Sequence, residues 1–180
     1  RKMTEVAQFK QGVFNALLFN AARAGTTRML EPLLAASDTQ AAQINCVDTF
    51  GRSPLYWAVA RGHFGTVKAL IDFGANLEQT DGNRMPALSV AACAGDARLA
   101  KLLLEHGAQY TQRDKLGMTP LHYAAFAGHG AVVSLLAKKL TLHARGAGVD
   151  FEVSEDGDAS AGGSGGGASG GASGAAGGGG

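Results

Sequence analysis

Cysteine is scarce in this sequence of 180 residues, which contains only Cys46 and Cys93. The two do not form a CxxC pair, and they predict reduced thiols of an intracellular protein, in the cytoplasm or the nucleus. A structural zinc site needs clustered cysteine and histidine ligands at short spacings, which two distant cysteines cannot supply. The sequence therefore predicts no metal site.

Long apolar runs are also missing. No stretch approaches the roughly 20 apolar residues that cross a bilayer, and no secretory signal is recognisable. We therefore expect no membrane span. The first residue is Arg1 rather than a methionine, which favours a fragment of a longer protein.

Motifs typical of catalysis do not occur. The P-loop pattern GxxxxGK[ST], the nucleophile elbow GxSxG and the metalloprotease pattern HExxH are all absent from the sequence. The acidic stretch EVSEDGD lacks the alternating ligands and the closing glutamate of a calcium loop. The histidines need not converge on one site; they are His63, His106, His122, His129 and His143. We expect no catalytic residue, no cofactor and no small-molecule substrate.

Glycine, by contrast, is abundant, with 27 residues, of which 13 lie after position 156. The segment GDASAGGSGGGASGGASGAAGGGG has no large apolar side chain to offset the entropy of ordering, so we expect a disordered tail. Residues 1–149 carry a net charge of +6 and the remainder carries −5. The basic residues are scattered without interleaved aromatics, which disfavours nucleic acid as a partner and favours a solvated surface.

A repeat with a period of 33 residues occupies the middle of the chain. Asp48, Asp81 and Asp114 each begin a unit, and leucines, alanines and glycines align at matching positions in all three. The last unit reads DKLGMTPLHYAAFAGHGAVVSLLAKK. With its T-P-L-H-x-A core, the sequence resembles the ankyrin repeat family from about Lys10 to Arg145. A weaker unit, LFNAARAGTTRMLEPLL, precedes these three, followed by a link with four extra residues near positions 38–43.

The physical chemistry of each unit agrees with this resemblance. Ser53 and Thr119 are good helix N-caps, and each is followed by a proline, which suits the first helical position. Gly62 and Gly128 end the short helix that follows. A second helix with apolar residues every three or four positions comes next.

The resemblance implies an all-α fold, an ankyrin-repeat solenoid of stacked helix pairs with short β-turn fingers and a disordered glycine-rich tail. It also implies that His122 ties the finger to the adjoining backbone and that His63 and His129 begin the turn between helices. The chain divides into residues 1–47 (capping helix and degenerate first repeat), 48–80, 81–113 (degenerate finger), 114–146 (last repeat) and 147–180 (acidic, then Gly/Ala/Ser-rich tail).

Three departures from the repeat pattern predict local differences. Arg84 stands where the other fingers have glycine, which predicts strain or a different turn. Leu140 replaces a stop glycine, so we expect the last helix to run beyond Lys139, to Leu142 or His143. In the N-terminal segment, Val6, Phe9, Val13 and Leu17 lie on one helical face, and Gly12 favours a break in this helix.

The function that the resemblance implies is a non-catalytic protein–protein interaction module, binding a protein or peptide on its concave surface of fingers and first helices. The candidate contact residues are Phe50, Arg52, Arg61, Met85, Lys115, Leu116, Met118 and Phe126. We expect the apolar members to form an exposed patch, unless some fold back onto the next finger. Two alternatives stay open: a targeting or substrate-recognition module of a larger enzyme, and an enzyme within the repeats themselves.

Overall fold

The computed structural model describes residues 2–35 and 44–146. Within these ranges the chain forms eight α-helices and a single isolated antiparallel bridge between Thr80 and Pro86. The helices are α1 (Lys2–Ala24), α2 (Thr27–Ala35), α3 (Pro54–Ala60), α4 (Phe64–Asp72), α5 (Ala87–Ala94), α6 (Ala97–Glu105), α7 (Pro120–Phe126) and α8 (Gly130–Gly146). The predicted tail at 147–180 and the predicted loop near 38–43 lie outside the described residues.

The helices pack in two layers. The first helix of each pair stacks on the first helix of the next, in the order α1, α3, α5 and α7, and the second helices stack in the order α2, α4, α6 and α8. Leucines of the repeat pattern fill the space between the layers, including Leu55, Leu70, Leu103 and Leu136, each at most 1% exposed. This is the all-α stack of helix pairs that the sequence predicts. The residue ranges of the individual repeats stay a proposed division.

The start of each short helix follows from the capping residues. Ser53 Oγ accepts a hydrogen bond from the Tyr56 N–H at 3.1 Å, and the proline after Ser53 occupies the first turn. Thr119 holds the same position at α7, where His122 Nδ1 accepts the Thr119 N–H at 3.2 Å. Both predicted N-caps are therefore confirmed, because Ser53 Oγ accepts an N–H of the first turn and Thr119 forms a capping box with His122.

The central pair of helices is built from small residues. Helix α5 has the sequence ALSVAACA, and its first six residues are all buried. Alanine side chains allow the neighbouring helices α3 and α7 to approach closely on both sides. Only Cys93 and Ala94 of this helix are exposed.

Each finger is organised by one aspartate. Asp48 Oδ1 accepts hydrogen bonds from the N–H groups of Phe50 at 2.8 Å and Arg52 at 2.9 Å. The same two bonds recur at Asp81 and Asp114, to the second and fourth residues that follow. An aspartate that bonds to backbone two residues on stabilises a turn, so the three fingers share one conformation.

The finger of the third repeat keeps this conformation at a cost. Arg84 has φ +62°, and it is the one non-glycine residue with positive φ in the described part of the chain. Its N–H donates to Asp81 O at 3.0 Å, as the Gly51 N–H donates to Asp48 O at 3.0 Å. The predicted strain is present, whereas the turn is not reshaped.

The two ends of the array differ in how well the sequence predicts them. Helix α8 runs to Gly146, which confirms that the last helix continues beyond Lys139. Helix α1 is continuous through Gly12, so the predicted break is wrong. A glycine costs up to about 1 kcal/mol inside a helix, too little to break one of 23 residues. The described helices include none with the length and apolar character that a bilayer crossing requires.

Candidate partner-binding surface

Three of the predicted contact residues present large apolar side chains to solvent. Phe50 and Leu116 occupy the tips of two fingers and are 64% and 82% exposed. Phe126 is the last residue of α7 and is 90% exposed. Leaving such side chains in water forgoes the free energy of burial, which is about 1.5–3 kcal/mol for a large apolar residue. Burial of these side chains by a partner would therefore contribute favourable free energy to binding.

The two predicted methionines are less available. Met85 and Met118 are half-buried, and Met85 packs against the core. They occupy corresponding positions in the fingers of the third and fourth repeats, and the Met85 side chain turns back toward the helices. The fold-back alternative therefore describes Met85 better than an exposed patch does. The predicted cations Arg61 and Lys115 are both exposed.

Arg52 is held in place by its neighbours. Its Nε lies 3.2 Å from Asp48 Oδ2, and its guanidinium carbon lies 4.3 Å from the centre of the Phe50 ring and 4.4 Å from that of Trp57. The side chain is 23% exposed. Arg52, a predicted contact residue, is thus a fixed guanidinium in contact with two aromatic rings and one carboxylate.

A second arginine contacts the same tryptophan. Arg23, in the last turn of α1, places its guanidinium carbon 4.5 Å from the Trp57 ring centre, and Trp57 Nε1 donates to Asp48 Oδ2 at 3.1 Å. We call Arg23, Trp57, Arg52 and Phe50 the arginine–tryptophan stack. Sequence reasoning missed Arg23 and Trp57 as site residues. Arg23 precedes its helix-ending glycine by two residues, as Phe126 does, and this register was the available signal.

A groove of about 640 Å³ lies between the fingers of the second and third repeats. Its walls are the two finger turns together with Tyr56, and they include Phe50, Arg52, Asp81 and Asn83. The fingers are joined where the Gly82 N–H donates to Phe50 O at 2.8 Å. The stack and the groove therefore share Phe50 and Arg52 and form one continuous region.

Two of the finger aspartates, Asp48 and Asp114, have pKa values below the ordinary value. Partial burial acts to raise the pKa of Asp48, but bonds from the Arg52 and Phe50 N–H groups and from Trp57 outweigh it, and the pKa falls below its ordinary value. For Asp114, the hydrogen bond from the Tyr123 hydroxyl is the largest cause of a lowered pKa. These carboxylates are already bonded within the fingers, so they organise the finger turns.

Comparison with known proteins places this arrangement in a family. A family model described as ankyrin repeats in three copies matches residues 18–114 and again 75–146. The chain belongs to the ankyrin repeat family. It is also 39% identical over 62 residues to the probable palmitoyltransferase AKR2 of Saccharomyces uvarum, a match that covers 34% of this chain and 8% of that protein. The chain thus spans only a small part of that relative's length.

Membership in the ankyrin family agrees with what the histidines do. Nε2 of His63 lies 3.1 Å from Arg23 O, and Nε2 of His129 lies 3.1 Å from Cys93 O, so each ring bonds to the preceding repeat. His122 Nδ1 accepts the backbone N–H of Thr119 in its own repeat at 3.2 Å, which agrees with the expectation that it ties the finger to adjoining backbone. These contacts are structural.

The remaining reactive side chains of the ankyrin array do not assemble into a centre. Burial raises the pKa of the Cys46 thiol to about 11, which leaves the thiol protonated and unreactive at neutral pH. Within the residues that the structure describes, no three His, Cys, Asp or Glu side chains cluster as metal ligands would. The ankyrin fold is generally non-catalytic, and it supports a protein-interaction module.

Proposed function

We propose that this ankyrin array is a non-catalytic binding module that holds a partner protein or peptide on its surface of fingers and first helices. The observation that carries the proposal is the exposure of Phe50, Leu116 and Phe126 at finger tips and at the end of a first helix. Large apolar side chains exposed beside a polar groove mark interaction surfaces. Lys115 lies in the same finger as Leu116, Arg61 lies at the end of another first helix, and both cations add electrostatic attraction.

The test begins with the full chain as bait, from which a captured partner is identified and its affinity measured. Phe126→Ala and Leu116→Asp should each weaken binding about thirtyfold or more, since a buried anchor at an interface is worth at least about 2 kcal/mol. Arg61→Ala should change mainly the association rate and its dependence on salt.

Leu103→Ala is the matched control, because Leu103 is fully buried. It should lower the free energy of unfolding by about 2–5 kcal/mol and reduce binding only through that loss. Phe126→Ala should leave the thermal melt unchanged, since its ring is 90% exposed. Unchanged affinity in both Phe126→Ala and Leu116→Asp, with the fold intact, would refute the proposed surface.

A second candidate function is a targeting or substrate-recognition module of a larger enzyme. It is favoured by the match to a probable palmitoyltransferase, of which the aligned segment is only 8%. Catalysis would then belong to residues outside this sequence. The complete open reading frame that contains these 180 residues separates the two, because it either encodes a further catalytic domain or does not.

A further inference from the structure

We propose that the arginine–tryptophan stack and the groove beside it accept one carboxylate side chain, Asp or Glu, of a partner peptide whose neighbouring apolar residue packs on Phe50. The inference rests on the proposed function, because it names the chemistry of the segment that the array holds. It assigns Arg23 and Arg52 to recognition of the acid.

The stack contains two positively charged side chains, and one carboxylate is paired with it. Two guanidinium groups, of Arg23 and Arg52, lie within 4.5 Å of the centre of one ring, and the carboxylate paired with this stack is that of Asp48. Asp48 is fully engaged, since Oδ1 accepts two backbone N–H groups and Oδ2 contacts Trp57 Nε1 and Arg52 Nε. Among the described side chains, no ion pair is formed by Arg23. One positive charge is therefore available to a ligand.

The stack also fixes the geometry of its cations in advance. A guanidinium that lies flat on an aromatic ring keeps its N–H edge free, and that edge matches a carboxylate with two parallel hydrogen bonds. The Arg52 guanidinium contacts the ring of Phe50 and the ring of Trp57. Because these contacts already hold the side chain, little side-chain entropy is lost when an acid binds. Because Arg52 is only 23% exposed, its interaction with an anion is screened less than that of a free surface cation.

The surroundings favour a single negative charge over a doubly charged phosphate. Asp81 lies in the wall of the groove, and Asp48 is in contact with Arg52. Each aspartate repels an incoming anion, and the two aspartates stand against only two guanidinium groups, so a dianion would leave more uncompensated negative charge than a single carboxylate does. The exposed ring of Phe50 adds an apolar surface beside the cations. This combination fits an acidic residue next to an apolar one in a peptide.

The experiment selects peptides from a random library displayed on phage against the full 180-residue chain. Peptides that carry Asp or Glu beside an apolar residue should be enriched. Arg23→Gln should abolish this enrichment, and Arg52→Lys, which retains charge but loses the planar fork, should reduce it. Arg28→Gln removes an exposed charge on α2, away from the stack, and should leave the selection unchanged.

The most enriched peptide is then synthesised in three forms, with its acid intact, changed to the amide, or replaced by phosphoserine. Fluorescence anisotropy should show the amide form binding about tenfold or more weakly, as expected for loss of a charge-assisted hydrogen bond. The phosphoserine form should bind no more tightly than the acid form. Arg23→Gln should reduce the difference between acid and amide.

Several outcomes would overturn the inference. No enriched peptide, enrichment without acidic residues, or equal binding of acid and amide forms would each exclude a carboxylate site. Tighter binding of the phosphoserine form would replace it with a phosphate site. If Arg23→Gln lowers the melting temperature while the preference for acid persists, the stack is structural only. In each case, the proposed function would still stand if the Leu116→Asp variant no longer bound the captured partner.

Discussion

Removing the left-handed arginine should make the protein more stable. In the change Arg84→Gly, a residue with φ +62° is replaced by the one amino acid that adopts this conformation without steric penalty. Arg84 is exposed, so its side chain contributes little packing that the substitution could lose. The turn itself is retained, because its bonds run from backbone N–H groups to Asp81.

The size of the effect follows from two opposing terms. A left-handed conformation costs an L-residue about 1–2 kcal/mol. Glycine offsets about 0.5–1 kcal/mol of this gain, because the more flexible unfolded chain loses more conformational entropy on folding. The net gain is about 0–1.5 kcal/mol in the free energy of unfolding, and its middle value of about 0.75 kcal/mol corresponds to a rise of about 1.5–3 °C in melting temperature for a domain of this size.

Circular-dichroism melts of three proteins check this reasoning. Arg61→Gly is the matched control, since Arg61 is also an exposed arginine at the end of a structural element but has φ −98°. At position 61 glycine relieves no strain and only adds conformational entropy to the unfolded chain, so the melting temperature should fall. If Arg84→Gly and Arg61→Gly lower the melting temperature alike, the conformation of Arg84 carries no strain.

Two further predictions concern stability. Gly95→Ala should cost about 2–4 kcal/mol, because it combines left-handed strain at φ +72° with a Cβ placed 2.6 Å from the His129 ring. Gly62→Ala, where a Cβ meets nothing within 4 Å, should lose only the strain term, and equal losses in urea melts would contradict this. The lowered pKa of Asp114 stabilises the fold fully above its ordinary value of 3.8, and this contribution is lost as the pH falls below it. The pKa of Tyr123, raised to about 12 by the bond to Asp114, adds stability that is lost as the pH rises from 10 to 12. Tyr123→Phe should flatten both slopes in urea melts measured against pH.

The sequence predicts those features that depend on residues close together in the chain. The N-caps at Ser53 and Thr119 and the extension of the last helix past Leu140 are of this kind, because the relevant bonds form within a few positions. The 33-residue period adds the stacking order, since each unit must bury its apolar face on the next. The predicted break at Gly12 was wrong because the low helix propensity of one glycine is a small cost beside the stability of a long helix.

The candidate surface is less predictable because it pairs residues of different repeats. Arg23 meets Trp57 from 34 positions away, and this contact exists only once the first two repeats stack. Arg52 was expected to contact a partner, but its ion pair was not foreseen, because that pair depends on how the finger turns back onto Asp48. Gly95 aligns with the helix-ending glycines Gly62 and Gly128, but its further role, leaving room for the His129 ring, is visible only in three dimensions.

The small residues of α5 have a consequence for how a partner is held. This central helix offers only Cys93 and Ala94 to solvent, so the surface there is flat and has few groups that can anchor a ligand. The proposed contacts lie on either side, around Phe50 and around Phe126. A partner that reaches both gains avidity, because its second contact forms at a high effective concentration set by the spacer between its two motifs. Discrimination between partners would then depend on spacer length as well as on the identity of the contacting residues.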